Sequence, residues 1–308
     1  MSLLCYRVPE PSEVVLSDRL SAAVFLGAGT FMWGSTFLVI KPLVAAMSPC
    51  AVLVLRFGVA TLVLLPFALR SAARSGKAAL RRIVPGSILL GLSLFGGYWF
   101  QTAGLQYTGP GKSAFITSLY VAFTPFAAWP INGRRPAPRH FISVLVALAG
   151  VYLLSDPSGP LNPGDGLTAI GAVFWAIEIA LIDRYWMKGL ELETATLMLG
   201  VVAVASAASL AFAGAGLHRM DLRMAASVLY LAVPATSLLM YWQIRWQPSL
   251  GGSLSSLIYI GEALVAATGG AILFGERIAP AGWVGCLMIL GSILLAFGLE
   301  RGAQREAS

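Results

Sequence analysis

Apolar runs of about twenty residues recur along the chain, separated by short clusters of charge, proline and glycine. A run of that length is what a helix needs to cross about 30 Å of hydrocarbon. Cutting at the polar clusters predicts ten membrane helices, over residues 20–40, 50–69, 83–106, 112–131, 140–154, 166–185, 193–214, 224–245, 252–274 and 281–299. The fourth and fifth are parted only by Asn132-Gly133-Arg134-Arg135-Pro136, a charged turn with a breaker at each end. The fold class expected is therefore all-α and integral to a membrane.

Composition agrees. Of 308 residues, 57% are hydrophobic and 11% charged, against about 25% charged in an average soluble domain. In water such a chain would expose large apolar patches and aggregate. The 33 glycines and 17 prolines are better tolerated in membrane helices, where neighbouring helices satisfy freed backbone groups. A net charge of +7 does not point to nucleic acid, because the cations are dispersed among apolar runs. They follow the positive-inside rule instead. With ten spans and a cytoplasmic N-terminus, fifteen of the 21 Lys and Arg fall on the inner side, five on the outer side and Arg56 within a span. Both termini are expected in the cytoplasm, at a bacterial-type inner (plasma) membrane. The first nineteen residues hold Arg7, Glu10, Glu13, Asp18 and Arg19 and do not read as a signal peptide. Cys5, Cys50 and Cys286 form no metal or disulfide motif.

The chain also repeats itself. Gly29-Thr30-Phe31-Met32-Trp33-Gly34 resembles Gly171-Ala172-Val173-Phe174-Trp175-Ala176, 142 residues later. Tyr98-Trp99 resembles Tyr241-Trp242 at an offset of 143, and Gly133-Arg134-Arg135 resembles Gly275-Glu276-Arg277 at 142. A repeat of five helices must enter the membrane from opposite faces in its two copies. The organisation expected is one membrane domain of two inverted five-helix repeats, over 1–154 and 166–299. That is a transporter architecture, with the substrate near mid-depth between the halves.

These segments resemble the drug/metabolite transporter superfamily, in particular its EamA-type ten-helix members. The resemblance rests on Trp33-Gly34-Ser35-Thr36 with Lys41, on Pro49 and Arg56, on Leu105-Gln106-Tyr107-Thr108 leading to Ser113-Ala114, on Pro125, and on Gly275-Glu276-Arg277 with Gly285 and Gly291. Arg134 stands where the family usually has Glu, and Ala263 where many members have Pro. The resemblance implies export or exchange of metabolites, with YddG-like aromatic amino-acid exporters as the nearest model.

Charges at membrane depth are costly and mark function by default. Glu262 and Glu178 lie about 15 Å into their spans, counting 1.5 Å per residue. Arg56 is nearer a span end. Glu178 shares a helix face with Trp175 three residues before it, as Thr36 does with Trp33. Each carboxyl would contact a substrate ammonium or accept a proton. The alternative is an interhelical hydrogen bond, or an ion pair with Arg56 or Lys41. An aromatic set with amides nearby suits an amphipathic or cationic substrate. It comprises Tyr98, Trp99, Tyr241, Trp242, Trp33, Trp175, Tyr120 and Tyr259, with Gln101 and Gln243. The substrate-binding residues expected are Trp33, Thr36, Tyr98, Trp99, Gln101, Trp175, Glu178, Tyr241, Trp242, Tyr259 and Glu262. Arg56, Lys41, Glu178 and Glu262 are the coupling or ion-pair candidates. Gly86, Gly91, Gly96 and Gly97, then Gly269, Gly270 and Gly275, and Gly285 with Gly291, would allow close helix approach or bending.

No cofactor, metal or nucleic acid is expected; the partners are the bilayer and a small molecule, an amino acid or similar. Export of cationic drugs is the alternative. An intramembrane enzyme is less favoured, because His140 and His218 are the only histidines and no nucleophile–base or metal motif occurs.

Overall fold

The computed structural model describes residues 16–133, 138–155, 162–213, 220–275 and 279–307. The Arg134, Arg135, Glu276 and Arg277 portions of the loop motifs, together with Cys5, His218 and Arg219, lie outside them. Ten helical rods carry the chain among the described residues: α1 (Leu16–Ala46), α2 (Pro49–Ser75), α3 (Lys77–Gly104), α4 (Pro110–Asn132), α5 (Pro138–Ser155), α6 (Pro163–Tyr185), α7 (Glu191–Phe212), α8 (Leu222–Leu250), α9 (Gly252–Phe274) and α10 (Pro280–Ala307). Eight are long and apolar enough to cross a bilayer. The apolar stretches of α5 and α10, Phe141–Leu153 and Pro280–Ala296, are shorter. Large apolar side chains such as Phe31, Leu62, Leu145, Val204, Ile272 and Leu287 face outward. This exterior suits lipid and not water.

Local chemistry sets the helix ends. Ser48 caps α2 by accepting from Ala51 N–H, with Pro49 in the first turn. Asn162 and Asp165 form a reciprocal capping box on α6, again followed by proline. Gly133 and Gly275, both at φ +70°, end α4 and α9 in the left-handed conformation that glycine adopts without steric cost.

Packing is ordered. α3 lies on α6 and α7, α2 on α7, α5 on α10, α1 on α8 and α9, and α4 on α6. The α3–α6 contact depends on glycine: a Cβ at Gly96 would stand 2.5 Å from the Phe174 ring, and one at Gly97 3.0 Å from the Trp175 ring. Small residues that let backbones approach are a main source of helix association in lipid. One end of the bundle gathers the C-terminal ends of α1 and α3 with the starts of α4 and α6. There Lys41 Nζ donates to the carbonyls of Leu105 (2.7 Å) and Thr108 (2.8 Å), and Lys112 pairs with Asp165 at 2.7 Å. At the other end of α6, Asp183 Oδ2 accepts from Gly252 N–H, the first residue of α9, at 2.7 Å.

Three rods are irregular at mid-length. Pro234 cannot donate a backbone hydrogen bond, and α8 widens there into a π-helical stretch over Val233–Leu238. α4 and α9 tighten into i→i+3 hydrogen bonds, Leu119 N–H to Ile116 and Ala263 N–H to Ile260. Such interruptions concentrate at functional sites.

Candidate functional site

A single cavity gathers side chains from six rods. It is lined by Trp33, Thr36 and Phe37 of α1, Tyr98 and Gln101 of α3, Thr117 and Tyr120 of α4, Trp175, Glu178 and Ile179 of α6, Gln243 of α8, and Tyr259 and Glu262 of α9. The space free of protein atoms is about 430 Å³, its open mouth included. The α4 and α9 lining residues flank the tightened turns, so the break in each rod presents one side chain from either side of it.

Helix geometry accounts for the α1 and α6 contributions. Trp33, Thr36 and Phe37, like Trp175, Glu178 and Ile179, are spaced i, i+3, i+4 and share one face. Thr36 satisfies its own hydroxyl on the Trp33 carbonyl at 2.7 Å. The two carboxyls have different neighbours. Glu178 Oε2 accepts from Gln243 Nε2 at 3.0 Å. The Glu262 carboxyl lies beside the Tyr120 hydroxyl. Behind Glu178 runs a polar line: Gln243 Nε2 to Gln247 Oε1 at 3.3 Å, then Gln247 Nε2 to the Ile179 carbonyl at 2.8 Å and Asp183 Oδ1 at 2.9 Å. Across the cavity Gln101 Nε2 donates to Thr117 at 3.1 Å. Among the described residues, Glu178 Oε1, Glu262 Oε1, Gln243 Oε1, the Tyr120 hydroxyl and the indole N–H groups of Trp33 and Trp175 are buried without a hydrogen-bond partner. A buried polar atom left so is costly. The cavity therefore offers both acceptors and donors to a ligand.

Eight of the eleven substrate-binding residues expected from the sequence stand in this lining: Trp33, Thr36, Tyr98, Gln101, Trp175, Glu178, Tyr259 and Glu262. Trp99, Tyr241 and Trp242 do not. Trp99 packs edge-on against Phe100 and Trp242 against Phe25. The reason is a one-residue slip. Pairing Tyr98-Trp99 with Tyr241-Trp242 used an offset of 143, whereas the lining follows 142, and one residue turns a helix face by about 100°. At 142, Gln101 meets Gln243, and Trp99 meets Tyr241 outside the cavity. The same offset leads from Tyr259 to Thr117, which pattern reading passed over, and from Glu262 to Tyr120, already in the aromatic set; Phe37 and Ile179 follow from their i+4 spacing to Trp33 and Trp175.

Neither ion-pair candidate pairs with these carboxyls. Glu178 is held by an amide and, among the described residues, forms no salt bridge. Lys41 holds backbone carbonyls at the bundle end. Arg56 is wholly buried behind the cavity wall. Its Nε donates to Thr236 at 2.6 Å, and Nη2 to the Tyr98 hydroxyl at 3.2 Å and the Ala235 carbonyl at 3.3 Å, within the π-helical stretch. The guanidinium carbon sits 4.3 Å from the Tyr98 ring centre, a cation–π contact that helps hold a desolvated charge. Arg56 thus fixes Tyr98, which lines the cavity. Among the described residues no three His, Cys, Asp or Glu side chains cluster as a metal site would require.

These features define a polytopic membrane protein with one polar, aromatic-walled chamber among its helices. Residues 20–156 match the EamA-like transporter family. An uncharacterized transporter of Archaeoglobus fulgidus is 38% identical over 167 residues, covering 54% of this chain and half of the relative's length. The uncharacterized transporter YyaM of Bacillus subtilis is 25% identical over 92% of this chain and 95% of its own. A solved crystal structure superposes with a TM-score of 0.73 over 92% of this chain and 99% of that one, at 20% identity, which speaks to the fold alone. The family match thus covers the first half of the chain, and the chain spans about half the length of the Archaeoglobus relative.

Proposed function

We propose that the chain is a ten-span carrier that moves amino acids with aromatic or hydrophobic side chains by alternating access, as export or exchange. Its two inverted repeats span 1–154 and 166–299, and both termini face the cytoplasm of a bacterial-type inner membrane. One observation carries the substrate reading: unpartnered carboxyl oxygens and unpartnered indole N–H groups face the same aromatic-walled cavity. Carboxylates accept from an ammonium, indole N–H groups donate to a carboxylate, and the rings bury an apolar side chain. The repeat reading draws support from the lining itself. Trp33 and Trp175, Thr36 and Glu178, Phe37 and Ile179, Gln101 and Gln243, Thr117 and Tyr259, and Tyr120 and Glu262 are each 142 residues apart. It draws further support from packing, since α1 on α8 and α9 answers α6 on α3 and α4. The dispersed cations support the orientation.

Purified protein in liposomes should carry phenylalanine down its gradient faster than empty vesicles do, and a pH gradient should alter that flux. Absence of flux for every aromatic and aliphatic amino acid would defeat the reading. Glu178→Gln and Glu262→Gln should flatten the pH dependence; unchanged profiles in both would leave facilitated diffusion without proton coupling. A second reading, transport of organic cations, is favoured by the lack of Lys or Arg in the lining. Phenethylamine is phenylalanine without its carboxylate. Saturable flux of phenethylamine with none of phenylalanine would select that reading.

A further inference from the structure

Lys41 and Asp183 are themselves 142 residues apart. They stand at equivalent places near the ends of α1 and α6, at opposite ends of the bundle, and each is tied to a corner between two rods. Lys41 holds the Leu105 and Thr108 carbonyls where α3 turns into α4. Asp183 holds the Gly252 N–H and the Gln247 amide where α8 turns into α9, a corner whose Gly251 has φ +80°. The charges are opposite because the groups they satisfy are opposite. A helix C-terminus leaves carbonyls without partners and a helix N-terminus leaves N–H groups; cations suit the first and anions the second. In sequence, Gln101 and Thr117 of the lining flank the first corner, and Gln243 and Tyr259 the second.

We propose that Lys41 and Asp183 are the latches of two gates, one at each membrane face, and that each releases its corner when the cavity opens to its own side. The proposal rests on the alternating-access reading above. Both sets of contacts are made in this structure. Releasing Lys41 lets the α3–α4 corner swing from α1, and releasing Asp183 lets the α8–α9 corner swing from α6. The Asp183 latch also touches the substrate chamber, because Gln247 links it through Gln243 to Glu178.

The test is side-specific labelling of one cavity cysteine. In full-length protein with Cys5→Ser, Cys50→Ala and Cys286→Ala, Thr117→Cys places a thiol in the lining. A membrane-impermeant methanethiosulfonate is applied from either side of oriented vesicles. Lys41→Gln should raise the labelling rate at least fivefold from the Lys41 face and leave or lower it from the other. Asp183→Asn should do the reverse, and Lys41→Arg should label like the background. Equal changes at both faces, or no change in either variant, would overturn the proposal. So would a Lys41→Gln or Asp183→Asn protein that cannot fold, since that assigns the contact to stability. Labelling needs no transported substrate, which separates this outcome from the flux assay. Flux with unshifted labelling removes the gates and keeps the carrier; reciprocal labelling without amino-acid flux does the opposite.

Discussion

The two halves of the cavity wall are built on the same positions but not with the same chemistry. Trp33 matches Trp175 and Gln101 matches Gln243, so the aromatic and amide frame is shared. The charge is not. Thr36 stands where the second half has Glu178, and Tyr120 where it has Glu262, so both carboxyls come from the second half. A second asymmetry lies in the packing. α3 presents Gly96 and Gly97 to α6, whereas the corresponding α8 positions are Leu238 and Leu239. On that side the small residue sits on α1, where a Cβ at Gly29 would meet Leu239 at 3.2 Å. Matching positions thus frame the cavity from both halves of the chain, while both carboxyls stand on one of them.

The largest effects should come from moving that charge. Glu178→Gln and Glu262→Gln should each lower amine-bearing substrate flux about tenfold or more, since a hydrogen bond to a charged group is worth roughly 1.5–3 kcal/mol. Thr36→Ala and Tyr120→Phe should cost less, about two- to tenfold, the range of a neutral bond. The double substitution T36E/E178T should recover part of the Glu178→Gln loss if the frame is equivalent on both sides. Equal losses on both halves would erase the contrast. Next comes packing: Gly96→Leu forces bulk into a filled contact and should destabilise by about 1–3 kcal/mol, read as a lower melting temperature in detergent. Gly58→Ala, where a Cβ meets nothing within 4 Å, should not lower it. A smaller effect is expected at the shared frame. Trp33→Phe and Trp175→Phe remove one donor each and should weaken apparent phenylalanine affinity about two- to tenfold with less change for phenethylamine. Trp99→Phe and Trp242→Phe, outside the lining, should change flux by less than about twofold, being rearrangements of aromatic packing; a larger loss would return them to the substrate path.

Much of this was legible before any coordinates. Long apolar runs admit only helices in lipid, because every backbone group must be satisfied within the segment. An intramembrane carboxyl is too costly to be incidental; this picked out Glu178 and Glu262, and their shared cavity follows from the fold. What failed was register. An offset wrong by one residue is invisible in a string of apolar letters, yet it turns a side chain about 100° around the rod. Trp99, Tyr241 and Trp242 were misplaced for that reason. Arg56 and Lys41, offered as alternative ion-pair partners, bond instead to the groups named above. A sequence shows which residues are charged, and not that a π-helical stretch at Pro234 will free a carbonyl for one of them or that a helix corner will offer carbonyls to the other.

The sequence alone determined the material of this protein: helices for an oily solvent, matching residues 142 positions apart, and a few costly charges at membrane depth. Only the tertiary structure decided which faces of those helices meet. Hydrophobic patterning specifies burial but not azimuth when lipid and neighbouring helices are equally apolar, so glycine contacts, broken turns and hydrogen bonds at helix corners, which act across distant segments, set which side chains share the chamber.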